Sequence, residues 1–486
     1  KHYLCKSNQA FCNIYGGNIS QVEHSRHRCF DNFMRHFLRF CTNQIFPSMK
    51  KIAFILILVL SCIATKAQTI DERIGAAINS SANFGLYDIY YNAQKDSIDP
   101  FLEVFSRCLI GNRFNRPDIS IPAFDELLKK QSDRLDLNLL LQSSVMYSMD
   151  LSRVGKNEEA YNLMSAVLSS AYQMVDSVSL SPYADMMDRY KALTKYSPYS
   201  ISISGEKGIA PFDTIRAGKP DSKQYLMQIT EAAINGHPAN ITFDTGAGVN
   251  VITDSLANAY GLELLDANVA ATGVASSAGR YAVAKELKLG NITVKDVPFY
   301  VIDIRSHHEE ADKYINVFEL IVGSELMLQL KDVTLDFSAK EIQVPLITSA
   351  PSNVRPNMSF SSDMNLLTAA ETNQQPMLIK LDSGDSSYGR LNKAFFEANK
   401  DYLTSQCQSD TVNQAGVGGV WSVLCYKLQD AILTIGGNTV KLPSIQVQTE
   451  QQENHYMDDN NLGLMSMMLF RKVRFNLVDM VFSTEL

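Results

Sequence analysis

Beyond residue 67 this sequence has little cysteine, no surplus of basic charge and no apolar run long enough to cross a membrane. Of its eight cysteines only Cys108, Cys407 and Cys425 lie in that stretch, so at most one internal disulfide can form there. Residues 1–67 hold nine of the 44 basic and two of the 52 acidic side chains, leaving 35 against 50 and a net charge of −15. Such a surface disfavours nucleic acid and anionic membranes, whose binding needs positive charge. The apolar run Ile52 to Leu60 is too short for a span. There is no nucleotide-binding glycine loop and no Gly-x-Ser-x-Gly nucleophile motif. No metal or cofactor is expected either. Cys5, Cys12, Cys29 and Cys41 with His24, His27 and His36 have no standard zinc spacing. The run His307-His308-Glu309-Glu310 reads as a solvated loop and Asp458-Asp459 as a wet turn.

What is present begins with a segment that reads as an export signal. Met49 is followed by Lys50 and Lys51, the apolar core Ile52 to Leu60, and a small-residue cleavage site at Thr65-Lys66-Ala67. Translation is therefore expected from Met49, with residues 1–48 an upstream extension, 49–67 removed and the mature chain starting at Gln68. Val59-Leu60-Ser61-Cys62 loosely matches a lipoprotein box, which gives an alternative anchored at Cys62. Either way the expected location is periplasmic, outer-membrane-associated or extracellular.

A length of 486 residues, 45% apolar and 20% charged, accommodates two or three globular domains. Residues 68–196 carry helical periodicity: Ile74, Ala77 and Ile78, then Leu102, Phe105 and Leu109, then Leu135 to Met149. One helix is expected to end near Val154-Gly155-Lys156 and another to start at Glu158. This hairpin resembles a tetratricopeptide repeat, and Phe101 to Leu128 echoes it around Gly111 and Ala123. Met146, Met149, Met164 and Met174 read as core filling. Residues 197–222, broken by Pro198, Gly205, Gly208, Pro211, Gly218 and Pro220, read as a linker.

The rest is organised around two stretches. Ile241-Thr242-Phe243-Asp244-Thr245-Gly246 and Leu378-Ile379-Lys380-Leu381-Asp382-Ser383-Gly384 each run from β-favouring residues into Asp, a small hydroxylated residue and Gly. Each is followed by an apolar stretch ending in glycine, Leu320-Ile321-Val322-Gly323 and Asn461-Leu462-Gly463. Asp244 and Gly323 are 79 residues apart, Asp382 and Gly463 81. Between them lie matched hairpin glycines, Gly273 and Gly416, and matched tight turns at Gly290-Asn291 and Gly436-Gly437. Both units close on similar strands, Val333 to Phe337 and Val473 to Leu477. Residues 223–347 and 363–486 are thus an internal duplication, joined through 348–362. In the first copy a hairpin is expected from Tyr225 to Asp244, turning at Asn235-Gly236.

Over about Tyr225 to Phe482 this pattern resembles the aspartic peptidases, closest to the retropepsin-like group but with two lobes in one chain, as in pepsin-like enzymes. The resemblance implies an all-β, two-lobed acid-protease fold behind the helical domain, monomeric, with one catalytic Asp per lobe: Asp244 and Asp382. It implies that Thr245 and Ser383 lock the active-site loops across the lobe boundary, flanked by Gly246 and Gly384. It also sets Gly323 and Gly463 where the chain passes beside those loops. The hairpins at Gly273 and at Gly416, Gly418 and Trp421 match substrate-covering flaps, with Tyr281 and Trp421 either lining the cleft or packing on the sheets. Export would permit a disulfide between Cys407 and Cys425, which flank the second flap.

Two carboxylates in one poorly solvated site cannot both ionise, so such a dyad shares one proton. The implied activity is hydrolysis of a peptide or protein substrate by a water that the dyad activates. Asp385, where the family has a small or hydroxylated residue, and Asn461, where it has an apolar one, depart from the pattern. They leave open a catalytically inactive protein that binds peptides through the cleft and helical repeats. A third reading, in which the first lobe pairs with another chain's first lobe, is disfavoured because lobe two supplies its own Asp.

Overall fold

The computed structural model describes residues 68–486 except 218–222, 273–275, 306–307, 314, 418 and 452–458. The expected upstream extension, the signal segment with Cys62, and Gly218, Pro220, Gly273, His307, Gly418 and Asp458 lie outside the described residues. Two compact units result, one ending at Ser106 and one spanning Arg107–Leu486.

The first unit contains α1 (Ile70–Asn79) and α2 (Asn83–Asn92). Thr69 opens α1 with a capping box: its hydroxyl accepts the Glu72 amide at 3.2 Å and Glu72 accepts the Thr69 amide at 2.8 Å. Ile74, Leu86 and Tyr90 are buried.

Helix α3 (Pro100–Arg113) carries the chain into the second unit, followed by α4 (Pro117–Lys130), α5 (Leu137–Arg153), α6 (Asn157–Ala171) and α7 (Ser177–Leu193). Gly155, at φ +79°, makes the turn between α5 and α6 where the sequence places it. Ala123, Ala160 and Met164 are fully buried, whereas Met174 is exposed rather than core filling. Helices α4 to α7 belong to the same compact unit as both lobes, so the helical domain expected over 68–196 divides at Ser106. The reason is a set of non-local bonds: Arg113 donates to the Ser361 carbonyl at 2.8 Å and Asn115 to that of Leu477 at 2.7 Å. Leu193 of α7 also joins an apolar cluster with Val269, Tyr281 and Tyr300 of lobe one.

Lobe one is built from β1 (Ser200–Ile203), β2 (Lys207–Arg216), β3 (Tyr225–Ile229), β4 (Ala232–Ile234), β5 (His237–Pro238), β6 (Ile241–Phe243) and β7 (Val251–Ile252). Then come β8 (Glu263–Thr272), β9 (Ser276–Leu289), β10 (Ile292–Ile302), β11 (Leu320–Val322), β12 (Asp332–Asp336) and β13 (Glu341–Pro345). The expected linker over 197–222 is corrected, because β1 pairs with β10 and β2 with β13 and then β3. Pro211 stands at the changeover of β2 from one partner to the other, where a strand tolerates a missing N–H. The hairpin tip at Asn235-Gly236, both at positive φ, is the predicted two-residue turn.

Lobe two repeats the plan with β14 (Met358–Phe360), β15 (Leu366–Thr372), β16 (Gln375–Asp382), β17 (Arg390–Leu391), β18 (Gln408–Gly416), β19 (Gly419–Ile435), β20 (Asn438–Gln448) and β21 (Asn460–Gly463). Strand β14 falls inside the expected inter-lobe linker. The closing strands β22 (Lys472–Asn476) and β23 (Val481–Glu485) leave lobe two's sheet and join the other one. There β22 pairs with its repeat partner β12, Val333 opposite Phe475 and Leu335 opposite Val473. A helical N-terminal region followed by a large two-sheet β region is the architecture expected from the sequence.

Candidate active site

Each Asp ends a short buried strand held by a parallel neighbour. In lobe one β6 pairs with β11, Thr242 opposite Ile321 and Phe243 opposite Val322. In lobe two β16 pairs with β21, Leu381 opposite Leu462 and Asp382 opposite Gly463. Strands covered on both faces read as apolar runs, as these do apart from Thr242 in lobe one and Lys380 and Asn461 in lobe two. The chain then turns sharply and its own amides cap the carboxyl. Asp244 Oδ1 accepts from the Gly246 and Ala247 amides at 2.8 and 3.1 Å. Asp382 Oδ1 accepts from those of Gly384 and Asp385 at 3.0 and 3.1 Å. The ordinary turn-capping role of Asp is thus filled twice, with one oxygen each.

The two loops meet across the lobe boundary. Thr245 N donates to Ser383 Oγ at 2.9 Å and Ser383 N donates to Thr245 Oγ1 at 3.0 Å. Each hydroxyl then donates to the strand of the other lobe, Thr245 to the Leu381 carbonyl at 2.7 Å and Ser383 to that of Phe243 at 2.6 Å. Both side chains are buried, so these bonds do not compete with water. A Cβ on Gly246 would overlap the Asp382 carboxyl, and one on Gly384 that of Asp244. Each carboxyl thus lies against the glycine of the opposite loop. Burial raises Asp244 from an ordinary 3.8 to about 7, helped by Asp382 and opposed by Lys380 and the Gly246 amide.

Gly323 and Gly463 are tight supports of the same loops. A Cβ on Gly323 would press on the Ala247 and Val249 carbonyls, and one on Gly463 on those of Asp385 and Ser387. The Gly323 amide donates to Asn250 Oδ1 at 3.0 Å, and Asn250 Nδ2 donates to Tyr199 Oη at 3.0 Å. Burial raises Glu325, near Tyr199, to about 7. Nothing in the sequence pattern distinguishes Asn250, Tyr199 or Glu325 from surface residues.

The flap residues separate. Gly416 faces Gly419 at the tip of the β18–β19 hairpin, and Val417 between them packs on the lobe-one cluster, as do Ala247 and Val249. Trp421 is half-buried opposite Gln414. Tyr281 is a packing residue rather than a cleft residue, buried on β9 with its ring edge-on to Tyr300 at 5.6 Å. Cys407 and Cys425 are both free, which corrects the expected disulfide. Cys425 is paired with Asp410 in mid-strand, whereas Cys407 precedes Gln408, which already stands opposite Lys427. Cys108 is buried.

The two departures of lobe two account for each other. Asn461 Nδ2 donates to Asp385 Oδ2 at 2.8 Å, and the Ser387 amide and hydroxyl donate to Asp385 Oδ1 at 2.9 and 2.7 Å. Arg390 Nη1 lies 3.6 Å from Asp385 Oδ2. The residue that sequence reasoning missed is Lys380, whose Nζ lies 4.0 Å from Asp382 Oδ2. Its one signal is a charged side chain inside an otherwise apolar run.

A family model described as aspartyl protease matches residues 230–325, which include the first Asp loop and Gly323. No curated protein matches. Among solved structures, a retropepsin-like aspartic protease from Rickettsia conorii aligns at 15% identity, covering 30% of this chain and 93% of that one, with a TM-score of 0.19. Residues 230–325 of this chain are thus similar to aspartyl proteases.

Proposed function

We propose that this protein is an aspartic endopeptidase in which Asp244 and Asp382 share one proton. The observation that carries the reading is the pair of carboxyls, each set against the glycine of the opposite loop, between loops that lock each other through Thr245 and Ser383. In a site of this kind the ionised carboxylate takes a proton from water as the water oxygen bonds to the peptide carbonyl carbon. The protonated carboxyl gives its proton to the carbonyl oxygen. Collapse of the resulting diol returns one hydroxyl proton to the dyad, the dyad passes the proton it already holds to the leaving nitrogen, and the C–N bond breaks. The chain ends as acid and amine, and the dyad ends with the single proton it began with.

The single-chain pairing of lobes is the pepsin-like part of the reading, and the α5/α6 hairpin the tetratricopeptide-like part. Export through residues 49–67 belongs to the same proposal, and N-terminal sequencing of the cellular product should begin at Gln68. A binding-only role draws its support from Asp385 and Asn461, but Asn461 donates to Asp385 and the dyad's capping bonds are intact. Incubation of the mature chain with a mixed peptide library from acidic to neutral pH tests the reading. Defined cut sites support it, and a folded protein that cuts nothing refutes it.

A further inference from the structure

The two strands that deliver the carboxyls differ at one position that faces the same way as the Asp. Side chains two apart on a strand share a face, so Thr242 goes with Asp244 and Lys380 with Asp382. Thr242 is buried and donates its hydroxyl to the Val317 carbonyl, leaving a neutral site. Lys380 is equally enclosed, its side chain 7% exposed, and its ion partner Asp382 is 14% exposed. The neighbouring strand differs at the matching place, with Ile321 opposite Thr242 but Asn461 opposite Lys380. Polar replacement therefore comes as an adjacent pair, and it is confined to lobe two.

Several charged groups of the described residues bear on the dyad. Lys380 on β16 faces Asp382, and Asp244 approaches from the other lobe. Asp385, in the loop after Asp382, is engaged by Asn461 of β21 and faced by Arg390 of β17. A symmetric buried pair of carboxyls holds one proton with no preference between its members. A cation in ion-pair contact with one member removes that symmetry.

We propose that Lys380 is a positioning residue that keeps Asp382 ionised and leaves the shared proton on Asp244. Asp382 is then the base that takes the proton from water, and Asp244 the acid that protonates the substrate carbonyl. This assignment of kinetic roles rests on the peptidase reading above; the placement of the proton does not. Burial and Asp382 raise Asp244, and the same ammonium limits that rise, in keeping with a cation serving the whole pair. Lys380 therefore also sets the pH range in which the dyad carries one proton, moving both ends of it downward.

The test compares Lys380→Met and Lys380→Arg with the wild type by two readouts. Removing one member of a buried ion pair destabilises a fold unless the remaining carboxyl takes up a proton, so folding of Lys380→Met is checked by circular dichroism, and Lys380→Gln takes its place in both readouts where the methionine variant does not fold. The first readout is carboxyl NMR of aspartate-labelled protein, assigned with Asp244→Asn and Asp382→Asn, which needs no turnover. The expected result is a Lys380→Met dyad whose titrations move up by about 1 pH unit or more and whose proton is no longer confined to Asp244, with Lys380→Arg close to wild type. The second is the pH profile of peptide cleavage, in which both limbs should move up by the same amount. Titrations unchanged in Lys380→Met would overturn the proposal. Titrations that move in a protein that cleaves nothing would uphold the lysine's placement of the proton while refuting the peptidase reading.

Discussion

Thr245 and Ser383 each accept the other's amide and donate to the other's strand, so four hydrogen bonds close between lobes that neither lobe can close alone. This grip, rather than the Asp residues themselves, sets the distance between the carboxyls. Replacing either residue with Ala leaves a buried amide and a buried carbonyl without partners. Each single variant should lose roughly 2–4 kcal/mol of stability, at about 1–2 per orphaned group. The double variant should lose less than the sum, with a coupling of about 0.5–3 kcal/mol in a urea double-mutant cycle. Strict additivity would mean that the two side chains act separately.

Gly246 and Gly384 are where the opposite carboxyl needs space. Alanine at either position must push the dyad apart. Cleavage should fall on the order of 10²-fold or more, since a misplacement of about 1 Å costs that much. A fully active Gly384→Ala would contradict the close approach.

Asp244 predicts a pH slope in stability. A buried carboxyl raised from 3.8 to about 7 binds its proton in the folded state over a range where the unfolded chain has lost it. Its contribution is therefore complete at low pH and is lost as pH rises towards 7, at up to about 1.4 kcal/mol per pH unit. Glu325, raised to about 7 by burial, adds a slope of the same sign. Urea midpoints followed from acidic to neutral pH should fall in the wild type and fall less in Asp244→Asn. They should be flattest in Asp244→Asn combined with Glu325→Gln. Equal slopes in all three would show that neither group carries the effect.

Much of this site is legible in the sequence because its demands are local. A strand must end, an amide must be capped and a turn needs positive φ, so Asp-Thr-Gly, Asp-Ser-Gly, Asn235-Gly236 and Gly436-Gly437 announce themselves. What escapes notice depends on pairing at a distance. Residues 200–216 look like a linker because their partners are at 225–229, 292–295 and 341–345. Asp385 looks like an intruder until Asn461, 76 residues away, is seen to bind it. Lys380 resembles an outward-facing strand residue, since alternation alone does not say which face is buried.

Asp385 supplies a control for the dyad. Because Asn461, Ser387 and Arg390 already engage it, Asp385→Asn should shift the pH limits of cleavage less than Lys380→Met does. An equal or larger shift would make Asp385 a third member of the titrating group.

The most direct test of the central claim is cleavage of one defined peptide by wild type, Asp244→Asn and Asp382→Asn, with folding of each checked by circular dichroism. A shared-proton dyad predicts that either substitution abolishes turnover while the fold persists. Turnover surviving in one of the two would contradict it, because a single carboxyl would then suffice.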